Sequence, residues 1–126
     1  MKDILIVDDH AGDRYLMREV LSAAGYLVRE ANDGAPALAL CRQKLPDLVV
    51  TDIVMAAKDG IETIRELRQF APDMPIVTVS GADYAPIYLN SVTLLGADAA
   101  LSKPFAFAAL VREVSALLQD TRVGTA

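Results

Sequence analysis

The chain holds almost none of the residues that make disulfides or zinc clusters: Cys41 and His10 are its only cysteine and histidine in 126 residues. No intramolecular disulfide and no Cys/His zinc site can be assembled from that inventory, and a reducing compartment suits it. Runs of Lys or Arg are missing as well. With 12 basic against 17 acidic residues the net charge is −5, which argues against a nucleic-acid surface or a polybasic membrane patch. Long hydrophobic runs are also absent. The longest uncharged stretch, residues 84–97, is 14 residues broken by Asn90, Ser91 and Thr93, short of the ~18 that a membrane span needs. The apolar run 4–7 is bracketed by Asp3 and Asp8 and is far too short for a signal-peptide core. A cytoplasmic module is the expectation. The glycines never form G-x-G, so there is neither a dinucleotide fingerprint nor a P-loop, and no G-x-S-x-G elbow occurs.

What is present is a generous core. Apolar residues make up 53% and charged residues 23%, enough for one domain and, at ~100 to 200 residues each, no more than one. The domain is expected over 1–119, with 120–126 a frayed tail or the start of a linker. Short apolar runs at 4–7, 26–28, 48–50, 76–79 and 99–101 alternate with helix-patterned segments at 12–24, 35–44, 61–70, 85–95 and 105–119. That alternation predicts an α/β fold, a parallel sheet with helices on both faces. Gly25 and Gly96 stand where helix C-caps belong, and Pro36 suits a first helical turn. The second strand, read on through Arg29 and Glu30 to Ala31, brings charge into the sheet and suits an edge. Right-handed crossovers then favour the order 2-1-3-4-5, with a ligand crevice at the C-terminal ends of strands 1 and 3.

At those ends the sequence places Asp8 and Asp9, Asp52, Ser80, and Ser102 with Lys103. Clustered carboxylates repel one another unless a cation sits among them. Magnesium binds through one or two carboxylates together with a phosphate oxygen, so the set predicts a site for metal and phosphoryl group together. Lys103 is a compact charge for a carboxylate or a phosphate oxygen, and Ser80 a single hydrogen-bond donor. A carboxylate in that setting is itself a nucleophile toward phosphorus.

These residues carry a resemblance. The segments Ile4-Leu-Ile-Val-Asp-Asp9, Asp47-Leu-Val-Val-Thr-Asp52, Asp59-Gly60, Ser80-Gly-Ala82, Gly96-Ala-Asp98 and Lys103-Pro-Phe105 make the chain resemble a receiver domain of the bacterial two-component response regulators. The resemblance implies a flavodoxin-like doubly wound sheet with five helices. It implies Asp52 as phosphoacceptor, Asp9 as a direct magnesium ligand, Asp8 as a ligand through water, and the Val54 carbonyl as a further metal contact. It also implies Ser80 and Lys103 as binders of phosphoryl oxygens and a cis Lys103-Pro104 bond. The phosphodonor is expected to be a histidine kinase or phosphotransfer protein. The output is expected through a protein target, or a second copy, on the face of the fourth helix, fifth strand and fifth helix, without direct contact to nucleic acid or membrane. Such a protein is a switch that promotes its own modification and its loss rather than an enzyme. It is expected either as a stand-alone receiver of the chemotaxis type or as a piece of a longer chain.

Departures from the family pattern bear on output. Ala100 stands where receivers carry Tyr or Phe, so Tyr84 or Tyr88 is a candidate substitute for the moving ring. Ala56 replaces a frequent proline, and Val54 and Ala82 offer no polar group to an attacking water, which predicts a slowly hydrolysed phosphoryl group. Ala100 also leaves a different reading, a receiver-like adaptor that binds partners without phosphorylation. A phosphatase of the haloacid-dehalogenase type is disfavoured, because Asp52-Ile-Val54 lacks the second acid. His10 reads as an exposed loop residue, Cys41 as a small packed hydrophobe, and Asp59-Gly60 as turn chemistry before the third helix.

Overall fold

The computed structural model describes residues 1–53, 55, 60–81 and 96–119. Its strands are β1 (Asp3–Val7), β2 (Leu27–Ala31), β3 (Leu48–Asp52), β4 (Ile76–Gly81) and β5 (Ala99–Lys103). The described helices are α1 (Ala11–Ala23), α2 (Gly34–Gln43), α3 (Gly60–Phe70) and α4 (Phe107–Leu118). The helix expected over 85–95 and the tail 120–126 lie outside the described residues. All strand pairs are parallel and the order is β2-β1-β3-β4-β5, a flavodoxin-like sheet.

Every residue of β1 and β3 is buried, as near-continuous apolar runs covered on both faces must be. The period of two divides their side chains between two cores. Leu5, Val7 and Val49 pack with Leu38, Cys41, Ile64 and Leu67 from α2 and α3. Ile4, Ile6, Val50, Val77 and Val79 pack with Met17 and Leu21 of α1 and Leu110 and Val114 of α4. Each such side chain contributes ~1.5 to 3 kcal/mol on burial, so the helices are held by the sheet rather than by their own propensity.

The charges in β2 mark an edge, and each has a partner: Arg29 makes two hydrogen bonds to Asp3, while Glu30 accepts from Arg14 and Arg18. Pairing begins at Leu27 rather than Tyr26. The cause is the end of α1, where Gly25 at φ +99° lets its N–H reach the Ser22 carbonyl and the Tyr26 N–H reach that of Leu21. This double hydrogen bond closes the helix and leaves Tyr26 unable to join the ladder. At the other edge β5 is only half-buried along its length, unlike the fully buried strand its apolar letters predict. An edge position explains the difference.

Candidate functional site

Five parallel strands point the same way, so their C-terminal ends form one rim, and the chemistry-bearing residues stand on it. Asp8 and Asp9 follow β1, Asp52 ends β3, Ser80 is next to last in β4, and Lys103 ends β5. Beyond the apolar runs, β3 continues to Asp52, β4 to Gly81 and β5 to Lys103. Asp52, Ser80 and Lys103 therefore stand in strands, while Asp8 and Asp9 begin the connection from β1 to α1.

Asp8 is fully buried and Asp52 nearly so. One Asp8 oxygen accepts the His10 N–H at 2.9 Å, and the other faces the Lys103 ammonium at 2.9 Å. His10 is the N-cap of α1 and makes no side-chain capping bond. Asp8 thus serves the entrance of α1 with one oxygen and the rim with the other. Arg14 of α1 donates to the Asp8 carbonyl at 2.7 Å while its Nε holds Glu30, fixing the chain where it leaves β1. Asp52 Oδ1 accepts the Ile53 N–H at 2.7 Å, and Oδ2 lies 3.5 Å from Lys103 Nζ.

Lys103 thus faces Asp8, Asp52 and a residue the sequence reading did not single out, Asp13 in the first turn of α1, at 2.9 Å. Burial pulls its ammonium down, yet the hydrogen bonds it donates to Asp13 and Asp8 and the charges of Asp52 and Asp8 outweigh it and hold its pKa above the ordinary lysine value. Asp13 carried no local signal beyond one helical turn from the acidic pair. Its partner is 90 residues away.

Carboxylate oxygens of Asp8, Asp9 and Asp52 and a ring nitrogen of His10 lie within 4.8 Å of one another, close enough to surround one ion. The His10 ring is largely exposed, with Nδ1 3.2 Å from Asp9 Oδ1. The donor set is oxygen-rich, and the Ser80 hydroxyl is buried with no hydrogen-bond partner among the described residues. Both features fit a hard divalent cation accompanied by an oxyanion. The Lys103-Pro104 bond is cis, as the resemblance implies. Val54, Ala56, Asp59, Ala82, Tyr84 and Tyr88 lie outside the described residues.

Gly60 opens α3 for a steric reason. Its N–H donates to the Ile53 carbonyl at 2.7 Å, and a Cβ there would overlap the Asp52 carbonyl oxygen and sit 2.8 Å from Ile53 Cα. Close approach of α3 to the end of β3 demands glycine. Cys41 is packed beneath α2 as a hydrophobe, its thiol pKa pushed up chiefly by burial, with Asp3 adding to the shift and Arg29 and Arg42 opposing it. Beside Lys103 an apolar groove of about 430 Å³ opens between α1 and α4, floored by Met17 and Phe105 and walled by Leu16 and Phe107.

With this geometry in hand, comparison with known proteins is direct. The family model described as "Response regulator receiver domain" matches residues 4–115. Among curated proteins, Response regulator MprA of Mycobacterium leprae is 39% identical over 119 residues, which cover 94% of this chain and 52% of that protein. The chain spans about half the length of the curated relatives it matches. Among solved structures, the receiver domain of NtrX from Brucella abortus aligns with a TM-score of 0.87 at 30% identity, covering 94% of this chain and 100% of that one. The chemotaxis protein CheY4 of Vibrio cholerae aligns at 0.86 and 28% identity, covering 93% and 98%.

Proposed function

The chain belongs to the response regulator receiver domain family, and we propose that within it Asp52 accepts a phosphoryl group, with magnesium, from a histidine kinase or phosphotransfer protein in the cytoplasm. The observation that carries this reading is the convergence of Asp8, Asp13, Asp52 and Lys103 from separate elements onto one rim. Unpaired charge is costly to hold together in a buried corner without a chemical use for it.

Asp52 Oδ2 is the attacking oxygen. Its lone pair forms the O–P bond as the P–N bond to the donor imidazole breaks, and that imidazole keeps the bonding pair and takes up a proton. The Ile53 N–H holds Oδ1 and so fixes the rotation of the carboxylate. Asp8 and Asp9 hold the cation, and His10 Nδ1 lies against Asp9. Lys103 and the Ser80 hydroxyl donate to the phosphoryl oxygens. Magnesium, when bound, supplies charge that offsets both the acidic side chains and the phosphoryl group.

Partner contact follows on the face of the fourth predicted helix, β5 and α4. Both a stand-alone receiver and one unit of a longer regulator fit this reading. Among the described residues no helix is long and apolar enough to cross a membrane. Ala100, half-buried on β5, favours a second reading, an adaptor that binds without phosphorylation.

Incubation with magnesium and acetyl phosphate, followed by intact mass, separates the two. A single phosphate adduct that needs magnesium and is lost in Asp52→Ala supports the switch. No adduct in the wild type supports the adaptor.

A further inference from the structure

We propose that Asp13 is a positioning residue that competes with the phosphoryl group for Lys103 and thereby sets how readily Asp52 takes and keeps it. This rests on the phosphoacceptor reading above. The Lys103 ammonium has three N–H donors, and three carboxylates stand around it: Asp8 and Asp13 at 2.9 Å and Asp52 at 3.5 Å. A phosphoryl group on Asp52 takes over the place of Oδ2 before that ammonium, and for it to accept more than one of the three N–H groups the hydrogen bond to Asp8 or to Asp13 has to be released.

The two hydrogen bonds differ in what release costs. The Asp8 side chain is 0% exposed and would be left charged in a dry environment, whereas Asp52 loses its carboxylate charge when Oδ2 is esterified. The Asp13 side chain is 47% exposed and can be taken up by water at once. Asp13 is therefore the partner that yields, and its hold on Lys103 in the unmodified protein opposes phosphorylation. Its negative charge acts in the same direction, standing beside a site that becomes more negative by about one charge when the Asp52 carboxylate turns into an acyl phosphate.

The test is magnesium-dependent binding of beryllofluoride, a mimic of the phosphoryl group, to wild type, Asp13→Asn and Asp13→Glu, with magnesium affinity measured separately. Asp13→Asn is expected to bind the mimic about fivefold more tightly, the scale of a half-exposed ion pair, while its affinity for magnesium alone does not rise. Asp13→Glu, which keeps the charge, is expected to return toward wild type. In a Lys103→Met background the Asp13→Asn change is expected to alter beryllofluoride binding by less than ~twofold, since there is no ammonium left to release.

Unchanged or weaker binding in Asp13→Asn overturns the proposal, as does an undiminished effect in the Lys103→Met background. If the wild type takes neither mimic nor phosphoryl group, the phosphoacceptor reading itself has failed and this proposal falls with it. If it takes both and is indifferent to Asp13, only this proposal has failed.

Discussion

A lysine among three acids is a stabilising element only while it keeps its proton. Lys103 is one-fifth exposed and faces a fully buried Asp8, so replacing it by methionine leaves a carboxylate charged and unsatisfied. The expected loss in the absence of metal is about 3 kcal/mol, read from denaturant midpoints. Magnesium should narrow the gap between the two proteins, because a bound cation neutralises the same oxygens. The pH dependence has a definite sign. The folded-state pKa of Lys103 is raised, so its contribution is complete below the ordinary lysine value and declines as pH climbs past that value toward the folded one. A wild-type advantage over Lys103→Met that grows with alkaline pH would contradict the ion-pair account. Neither partner choice nor strength was legible in the letters around residue 103. The sequence marks Lys103 as a rim residue, but Asp13 reaches it only through the packing of α1 against the end of β5.

Elements are positioned here by contacts that carry no periodic signal. Arg68, near the end of α3, donates to the carbonyls of Gly96, Ala71 and Met74 at 2.5 to 3.2 Å and to the Asp98 carboxylate at 3.0 Å. Asp98 also accepts the Ile76 N–H at 2.8 Å. One guanidinium thus ties α3 to the start of β4 and to the approach of β5. Its planar fork is what permits this, and Arg68→Lys is expected to lose about 2 kcal/mol, nearly as much as Arg68→Ala, when measured by urea denaturation. Full retention of stability in the lysine variant would refute the fork argument. Among the described residues, helix limits were readable within a residue or two because Gly25 and the apolar stripes mark them. The Arg68 staple was not, since its acceptors are backbone carbonyls that any residue supplies. Gly60 is intermediate: a glycine at the start of a helix is visible in sequence, yet the reason for it, the approach of α3 to Asp52, is not. Gly60→Ala is expected to cost about 1 to 3 kcal/mol and to slow acetyl-phosphate labelling of Asp52 several-fold.

At the scale of the molecule the parallel sheet does two separate jobs with its two rims. The C-terminal rim gathers Asp8, Asp9, Asp52 and Lys103, while on the opposite rim Arg29 pairs with Asp3 and Arg68 with Asp98. Strand order and the placement of the acidic site were legible because buried parallel strands spell themselves as apolar runs, and a strand that ends in Asp or Lys announces its rim. The acidic corner concentrates repulsion that the single ammonium only partly offsets, so cation binding must be coupled to global stability. Magnesium at ~100 times its dissociation constant should then raise the unfolding free energy by ~2.7 kcal/mol, a saturable shift in melting temperature. Calcium, which prefers more ligands and longer contacts than this corner offers, should give less at equal concentration. Asp8→Asn removes a fully buried charge from the corner, and its metal-free form should gain stability while its response to magnesium shrinks. Opposite behaviour, a destabilised variant with an unaltered magnesium response, would mean that Asp8 serves the helix entrance and Lys103 alone, with the cation held elsewhere.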